Sequence, residues 1–446
     1  MARLSRRALL GGVGASVASV AGCLSTARRP SFDDGDWPRL RADSGQTNYS
    51  PASGPAEDAE IAWSRPIPTT HGSKPLFLLD GTLYTLFADG EGKYLSEQLS
   101  LHGIDAETGE TTFRVPNVTQ LFALGATTSY ENGMILGRGT GTYDDSAMLG
   151  INPGGGFEPH RWTHGRSGTL GFRFRPLADS QTVLDGTWYY TVDNYRRWGM
   201  YPSPDEVLAV DFDDGRTRWR RQLDIEAAWS LVATDGRLVS TIDYDESPST
   251  IRTLDPDDGH TLREVSEGRW SRSMARDGTV YVTASPNDES PRLGAYDVDS
   301  LERQWEVRVG PADTYVLASA AGPEQVVVAI GWSRDGDSRD DILAAAFDRQ
   351  TGDKQWREHV FTPFHDPAPE GVSISIGSET VYCAAFRDHV AALSMTDGSV
   401  RWRMRLRSKL EGTSGFIDGQ VSEPVVYDGR LYLLISGHGL VALEEP

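Results

Sequence analysis

Two cysteines, nine histidines and 64 acidic residues hold most of the chemistry available to this chain, and their spacing limits what they can do. Cys23 ends the stretch SVAGC, in which small residues precede a thiol, the pattern that presents a cysteine for lipid attachment. Upstream, Arg6 and Arg7 precede a Gly/Ala-rich apolar run from Ala8 to Gly22, too short and too weakly apolar to span a bilayer. Residues 1–22 therefore read as a twin-arginine export signal with a lipobox, and residues 23–36, polar and bearing Pro and Gly, as a flexible stalk. Cys383 stands alone in TVYCAAF. With Cys23 acylated, no intramolecular disulfide can form, and a lone cysteine on an apolar strand reads as a small core residue. The histidines form no H-E-x-x-H helix, and neither a G-x-S-x-G elbow nor a phosphate-cradling glycine loop is present. Asp335, Asp337, Asp340 and Asp341 crowd the segment DGDSRDD without the spacing or distal glutamate of a calcium loop. That segment reads as a solvated acidic loop, and no metal ligand set is assigned.

The segment NYRRWGMYPSP, residues 194–204, is unusual for an acidic protein. It gathers Tyr195, Arg196, Arg197, Trp198 and Tyr201, the residue types that dominate interface hot spots. Two readings stand side by side. In one the segment meets a partner; in the other Trp198 folds back on its own sheet and the arginines are solvated.

Charge narrows the setting. The formal net charge is −21, and the basic residues include only four lysines, Lys74, Lys93, Lys354 and Lys409. An acidic, arginine-biased surface suits a very salty medium, where self-repulsion is screened within about 3 Å at 1 M salt. The same balance excludes nucleic acid as a partner, because that needs basic patches to displace counterions.

Helical periodicity is scarce after the signal, while short Val/Leu/Tyr alternations bounded by turn residues recur throughout. One phrase ends an apolar strand on a polar residue, as in VLAVDFDDGRTRW. Its copies place that residue at Asp105, Asn152, Asp211, Asp255, Asp297, Asp348, Ser394 and Glu444, about 48 residues apart, a propeller-blade period. A second phrase, a turn then a strand, also occurs eight times and interleaves with the first: LDGTLYTL, ENGMILG, LDGTWYYTV, TDGRLVST, RDGTVYVTA, GPEQVVVAI, GSETVYCAA and YDGRLYLLI. Eight residues past the anchor comes an aromatic in five copies: Phe113, Trp219, Trp305, Trp356 and Trp402. Such a ring is suited to packing between blades. Blade four has Arg263 there instead, and blade five has Leu301 where a turn glycine is expected.

The eighth copy, LVALEEP, stops before its aromatic strand, whereas IAWSRPI, with Trp63, is such a strand with nothing before it. Pairing the two closes a ring and removes an exposed edge. The expected fold is all-β: an eight-bladed β-propeller of four-stranded blades over residues 37–446, closed by pairing the N-terminal strand with the C-terminal blade. The two sets of tight turns share one face, and the variable loops, residues 194–204 among them, open on the other. Loops on a rigid frame are where function usually lies.

The phrases YDGRLY, DAETGETTF and DRQTGDKQW resemble the PQQ-binding-like propeller repeat, A-x-D-x-x-T-G-x-x-x-W, over essentially the whole chain after the stalk. WPRLRADSGQTNYSP, residues 37–51, is similar to the segment that opens many such propellers. The resemblance implies a quinoprotein-like fold shared by dehydrogenases and non-catalytic scaffolds, here in an exported lipoprotein of haloarchaeal type. In the dehydrogenases it implies PQQ with Ca²⁺, an Asp base, acidic and amide calcium ligands, and a disulfide between adjacent cysteines. This chain has no adjacent cysteines and no C-x-x-C-H haem motif, so no catalytic residue carries over. The expectation is a monomeric, non-catalytic platform without cofactor, held to the outer face of the cytoplasmic membrane by its lipid alone. It would bind a protein partner or small ligand at the cell surface. A divergent quinone-dependent oxidoreductase and a small-molecule sensor ectodomain are the alternatives.

Overall fold

The computed structural model describes residues 36–446 except 39–40, 67–74, 89–98, 126, 128, 131, 140–146, 157, 165–179, 193–205, 223–229, 243–247, 269, 271, 285–288, 313, 335–336, 362–371, 386–388, 407–409, 411–420 and 436–438. The described residues form eight four-stranded antiparallel sheets, seven of them meanders in chain order and the eighth three C-terminal strands completed by an N-terminal one, with one two-residue strand added to the seventh. The inner strands are Phe77–Leu79, Val118–Gly125, Gln181–Leu184, Ser230–Thr234, Arg272–Arg276, Thr314–Ala321, Ser373–Gly377 and Val425–Tyr427. This is the eight-bladed all-β propeller expected.

Local sequence explains the meander. Asp80-Gly81, Asp185-Gly186, Asp235-Gly236, Asp277-Gly278 and Asp428-Gly429 all have positive φ, the two-residue geometry that matches strand twist in a hairpin. Between strands three and four the anchor carboxylate caps its own turn. Asp348 Oδ1 accepts the Thr351 amide at 2.8 Å and Asp105 Oδ1 the Thr108 amide at 2.8 Å. These amides hold both carboxyls below the ordinary range, and the Ser399 hydroxyl and amide hold Asp397 down to about 2.

Ring closure has the expected partners. Strand Glu60–Pro66 runs antiparallel to Gly439–Glu444, with Trp63 opposite Ala442, and is the outer strand of blade eight. The turn of that blade is replaced by a contact with the N-terminal segment: Glu445 Oε1 accepts the amides of Ala56 and Glu57 at 2.8 and 3.1 Å.

The core is a set of wedges. Eight apolar clusters each join two neighbouring blades. Consecutive residues of one strand serve different joints: Leu208 and Val210 pack toward blade two, Val207 and Ala209 toward blade four. Alternation in these strands thus divides residues between two packed faces rather than between core and water, as in any sheet covered on both sides. Cys383 is buried in the joint of blades six and seven, where desolvation pushes its thiol up to about 12.

Candidate functional site: the central axis and the loop face

In a ring of radial sheets the inner strands turn their unpaired edge toward the axis. That leaves a ring of backbone N–H and C=O groups needing partners. The segment that opens the fold supplies them. Leu78 N–H donates to the Trp37 carbonyl in blade one, and Leu124 N–H to Pro38 in blade two. In blade three, Ser44 Oγ donates to the Val183 carbonyl at 2.6 Å. Ala233, Ala275, Ala321 and Ile376 then donate to the carbonyls of Ser44, Gly45, Thr47 and Asn48, covering blades four to seven in order. Tyr49–Ser50 adds to the inner strand of blade seven in parallel, and Gly429 N–H reaches the Ser53 carbonyl in blade eight. Residues 37–53 are an axle bonded to every blade.

Fanning successive carbonyls outward needs an unusual backbone. Arg41, Ala42, Gln46 and Asn48 have φ of 59°, 75°, 55° and 53°, a conformation that costs a residue other than glycine about 1–2 kcal/mol. It persists because the surrounding bonds over-determine it. Asp43 braces the turn by accepting the Thr47 amide at 3.0 Å and its hydroxyl at 2.5 Å. Gln46 Nε2 donates to the carbonyls of Gln181 and Leu231 at 2.9 and 3.0 Å, and Asn48 Nδ2 to Ser319 at 3.0 Å. Arg41 Nε lies 4.0 Å from Glu423. The contacts of Gln46, Asn48 and Arg41 fall further from the tight turns than the carbonyl spokes do, so these side chains lie on the loop side of the spokes. Sequence reasoning noted this segment but gave it no role. Its signal is a polar run, DSGQTN, in which no strand or helix period can be found.

The described residues of the axis leave little open space beside the axle. The tight-turn end is filled by the axle, and the cavity beside it, lined by Asp43, Gln181, Thr182 and Trp188 among others, measures 10 Å³, room for one water. Among the described residues no three of His, Cys, Asp and Glu converge on a possible ion. His160 and His164 have a spacing that would pair them on a helix, but they lie at the two ends of strand His160–His164, about 13 Å apart.

The aromatics occupy the joints. The indole nitrogens of Trp63, Trp219, Trp305 and Trp356 donate to carbonyls of Ala106, Pro256, Arg349 and Met395, each the residue after the anchor in the next blade. Trp402, in blade seven, faces a blade whose last turn is completed by the N-terminal segment, and it donates to the Pro55 carbonyl at 2.9 Å. Phe113 packs over Gly155 in blade two. In all eight blades the residue before this position is bulged out of register, which re-aims the ring.

Both the second-to-third connections and those between blades open on the face opposite the tight turns. Tyr195, Arg196, Arg197, Trp198 and Tyr201 lie outside the described residues, between Val192 and Glu206, which pair at the loop-side end of blade three. Arg6, Arg7 and Cys23 also lie outside them. The acidic segment around Asp337 is not a simple loop. Strands Gln325–Arg334 and Asp337–Asp348 run through it, pairing as far as Arg334 with Asp337, so blade six extends beyond its neighbours on the loop side.

The family model described as outer membrane protein assembly factor BamB matches residues 203–336 and 339–445. Among solved structures, the quinohemoprotein alcohol dehydrogenase of Comamonas testosteroni is 11% identical, with 92% of this chain and 80% of that one covered at a TM-score of 0.57. Quinohemoprotein alcohol dehydrogenase ADHIIG from Pseudomonas putida HK5 is 11% identical, with 93% and 82% covered at 0.58. The computationally designed Ika8 protein is 11% identical, with 84% and 98% covered at 0.56. At these identities the likeness is one of fold. The serine/threonine-protein kinase AfsK of Streptomyces coelicolor is 26% identical over 157 residues, which is 35% of this chain and 17% of the kinase. The chain thus spans about a sixth of that relative's length.

Proposed function

The chain belongs to the PQQ-like repeat family described as outer membrane protein assembly factor BamB, and on that footing we propose that it is a lipid-tethered, non-catalytic platform for a protein partner. One observation carries this reading: the centre of the ring is bonded to the protein's own axle, spoke by spoke, which leaves recognition to the faces of the ring and their loops. The SVAGC stretch behind Arg6 and Arg7 supports export and attachment through Cys23. The cluster Tyr195, Arg196, Arg197, Trp198 and Tyr201, in the segment between Val192 and Glu206, supports a protein surface as the ligand, since these residue types concentrate binding energy.

The test is in-situ crosslinking and purification of the membrane-bound protein at high salt. A specific crosslinked partner that is lost with Trp198→Ala and Arg197→Ala, and kept with Asp299→Ala on the opposite face, is the expected result. Identical partners for all three variants would remove the loop cluster from the proposal. A rise in melting temperature on adding PQQ with Ca²⁺ would overturn the non-catalytic reading in favour of an oxidoreductase.

A further inference from the structure

The axle starts on a definite side of the ring. Asp36 Oδ1 accepts the Asp80 amide at 3.0 Å, and Asp80 opens the tight turn of blade one. Trp37, 1% exposed, pairs with Leu78 two residues before that turn. The chain therefore joins the ring on the tight-turn face, close to the axis. We infer that the tether holds the tight-turn face toward the membrane and presents the loop face outward. This rests on the proposed acylation of Cys23 and names the face that the partner meets.

Chain length decides it. Cys23 and Asp36 are thirteen positions apart. Thirteen steps span at most about 45 Å, and as a flexible coil about 20 Å on average. Turning the loop face to the lipid would send the stalk across three strand gaps, about 14 Å, and then past a six-residue strand, about 20 Å, besides the loops. Such a path consumes about three quarters of the full extended length before any loop is crossed, while the inferred orientation needs almost none. Contact with lipid is left to the anchor, because the tight-turn face carries Asp214, Asp257, Asp258, Asp299, Asp353 and Asp397. Carboxylates repel an anionic bilayer.

Blade five offers a matched pair of positions for the test. Asp299, its side chain 72% exposed, lies in a tight turn, and exposed Arg308 ends the same blade's outer strand on the loop side. Cys383 is buried and does not compete for a thiol label. Asp299→Cys and Arg308→Cys in the full chain are labelled with a fluorophore in membranes doped with a lipid-borne nitroxide quencher. Quenching several-fold stronger at position 299 than at 308 is expected. Equal or reversed quenching in membrane-bound protein overturns the orientation and leaves the anchor standing. Recovery of the protein in the soluble fraction after a high-salt wash overturns both.

Discussion

At the scale of single residues, the repeat is the imprint of one joint. The small residue two before each anchor faces the aromatic across the outer strand pair: Ala209 opposite Trp219, Ala295 opposite Trp305, Ala346 opposite Trp356 and Gly103 opposite Phe113. The ring then covers the turn glycine of the next blade, where a Cβ on Gly352 would come within 2.8 Å of the Trp305 ring. One joint departs at every position together. Blade four has Thr253 opposite an exposed Arg263, and blade five answers with Leu301, which keeps the turn's bond to the Asp297 carbonyl at a φ of 55°. Leu301 is 5% exposed and lies in the cluster with Val265 and Trp270. Burying it gains about 1.5–3 kcal/mol, which exceeds the roughly 1–2 kcal/mol of its backbone strain. Leucine fills the place that an indole fills elsewhere. Accordingly, Leu301→Gly alone leaves a gap, and Arg263→Trp alone overpacks by about 1–3 kcal/mol. The double variant is expected to recover at least about 1 kcal/mol of coupling in a thermodynamic cycle from chemical denaturation. Additive losses would separate the two substitutions.

At the scale of elements, the axle links what no pairwise repeat can link, because among the described residues it alone bonds to all eight inner edges. Gly45 is its tightest point: a Cβ there would overlap the Ala275 carbonyl, whose own amide is bonded to the Gly45 carbonyl. Gly45→Val must push a spoke aside and is expected to cost about 1–3 kcal/mol, read as a lower melting temperature with the strand signal in circular dichroism retained. An unchanged melting temperature would show the axle to be dispensable. Eight blades and the Trp63 closure were legible because both are written in apolar alternation and turn residues, which repeat. The axle was not, since its order comes from polar side chains and carbonyls that bond to distant strands and leave no local period. The bulge ahead of each aromatic also escaped, being a register shift with no residue type of its own. Blade six's extension was hidden for another reason: Asp337 and Asp341 are charged enough to look like loop, yet stand in a paired strand. The candidate partner cluster around Trp198 was legible only as composition, and composition does not say which way a ring points.

At the scale of the molecule, the wedge-like core and the surface pull against each other. The full chain carries a net charge of −21 and the tight-turn face of the ring is lined with carboxylates, so like charges repel across neighbouring blades. Arginines answer locally, with Arg218 at 2.6 Å from Asp211, Arg303 at 2.6 Å from Glu306 and Arg430 at 2.7 Å from Glu444. Those pairs are exposed or half-exposed, and such contacts contribute about 0–1 kcal/mol each. They cannot cancel the long-range term. Salt acts on both, but unequally. Raising it from 0.1 to 1 M shortens the Debye length from about 10 to about 3 Å, which removes repulsion between blades while leaving charges in contact partly coupled. The melting temperature is therefore expected to rise steadily as KCl goes from about 0.1 to 1 M and above. Sucrose at equal osmolality separates screening from simple exclusion at the surface, because it strengthens burial without touching charge. A rise with sucrose equal to the rise with KCl, or a melting temperature that falls with salt, would mean that the close pairs outweigh the charge of the whole ring.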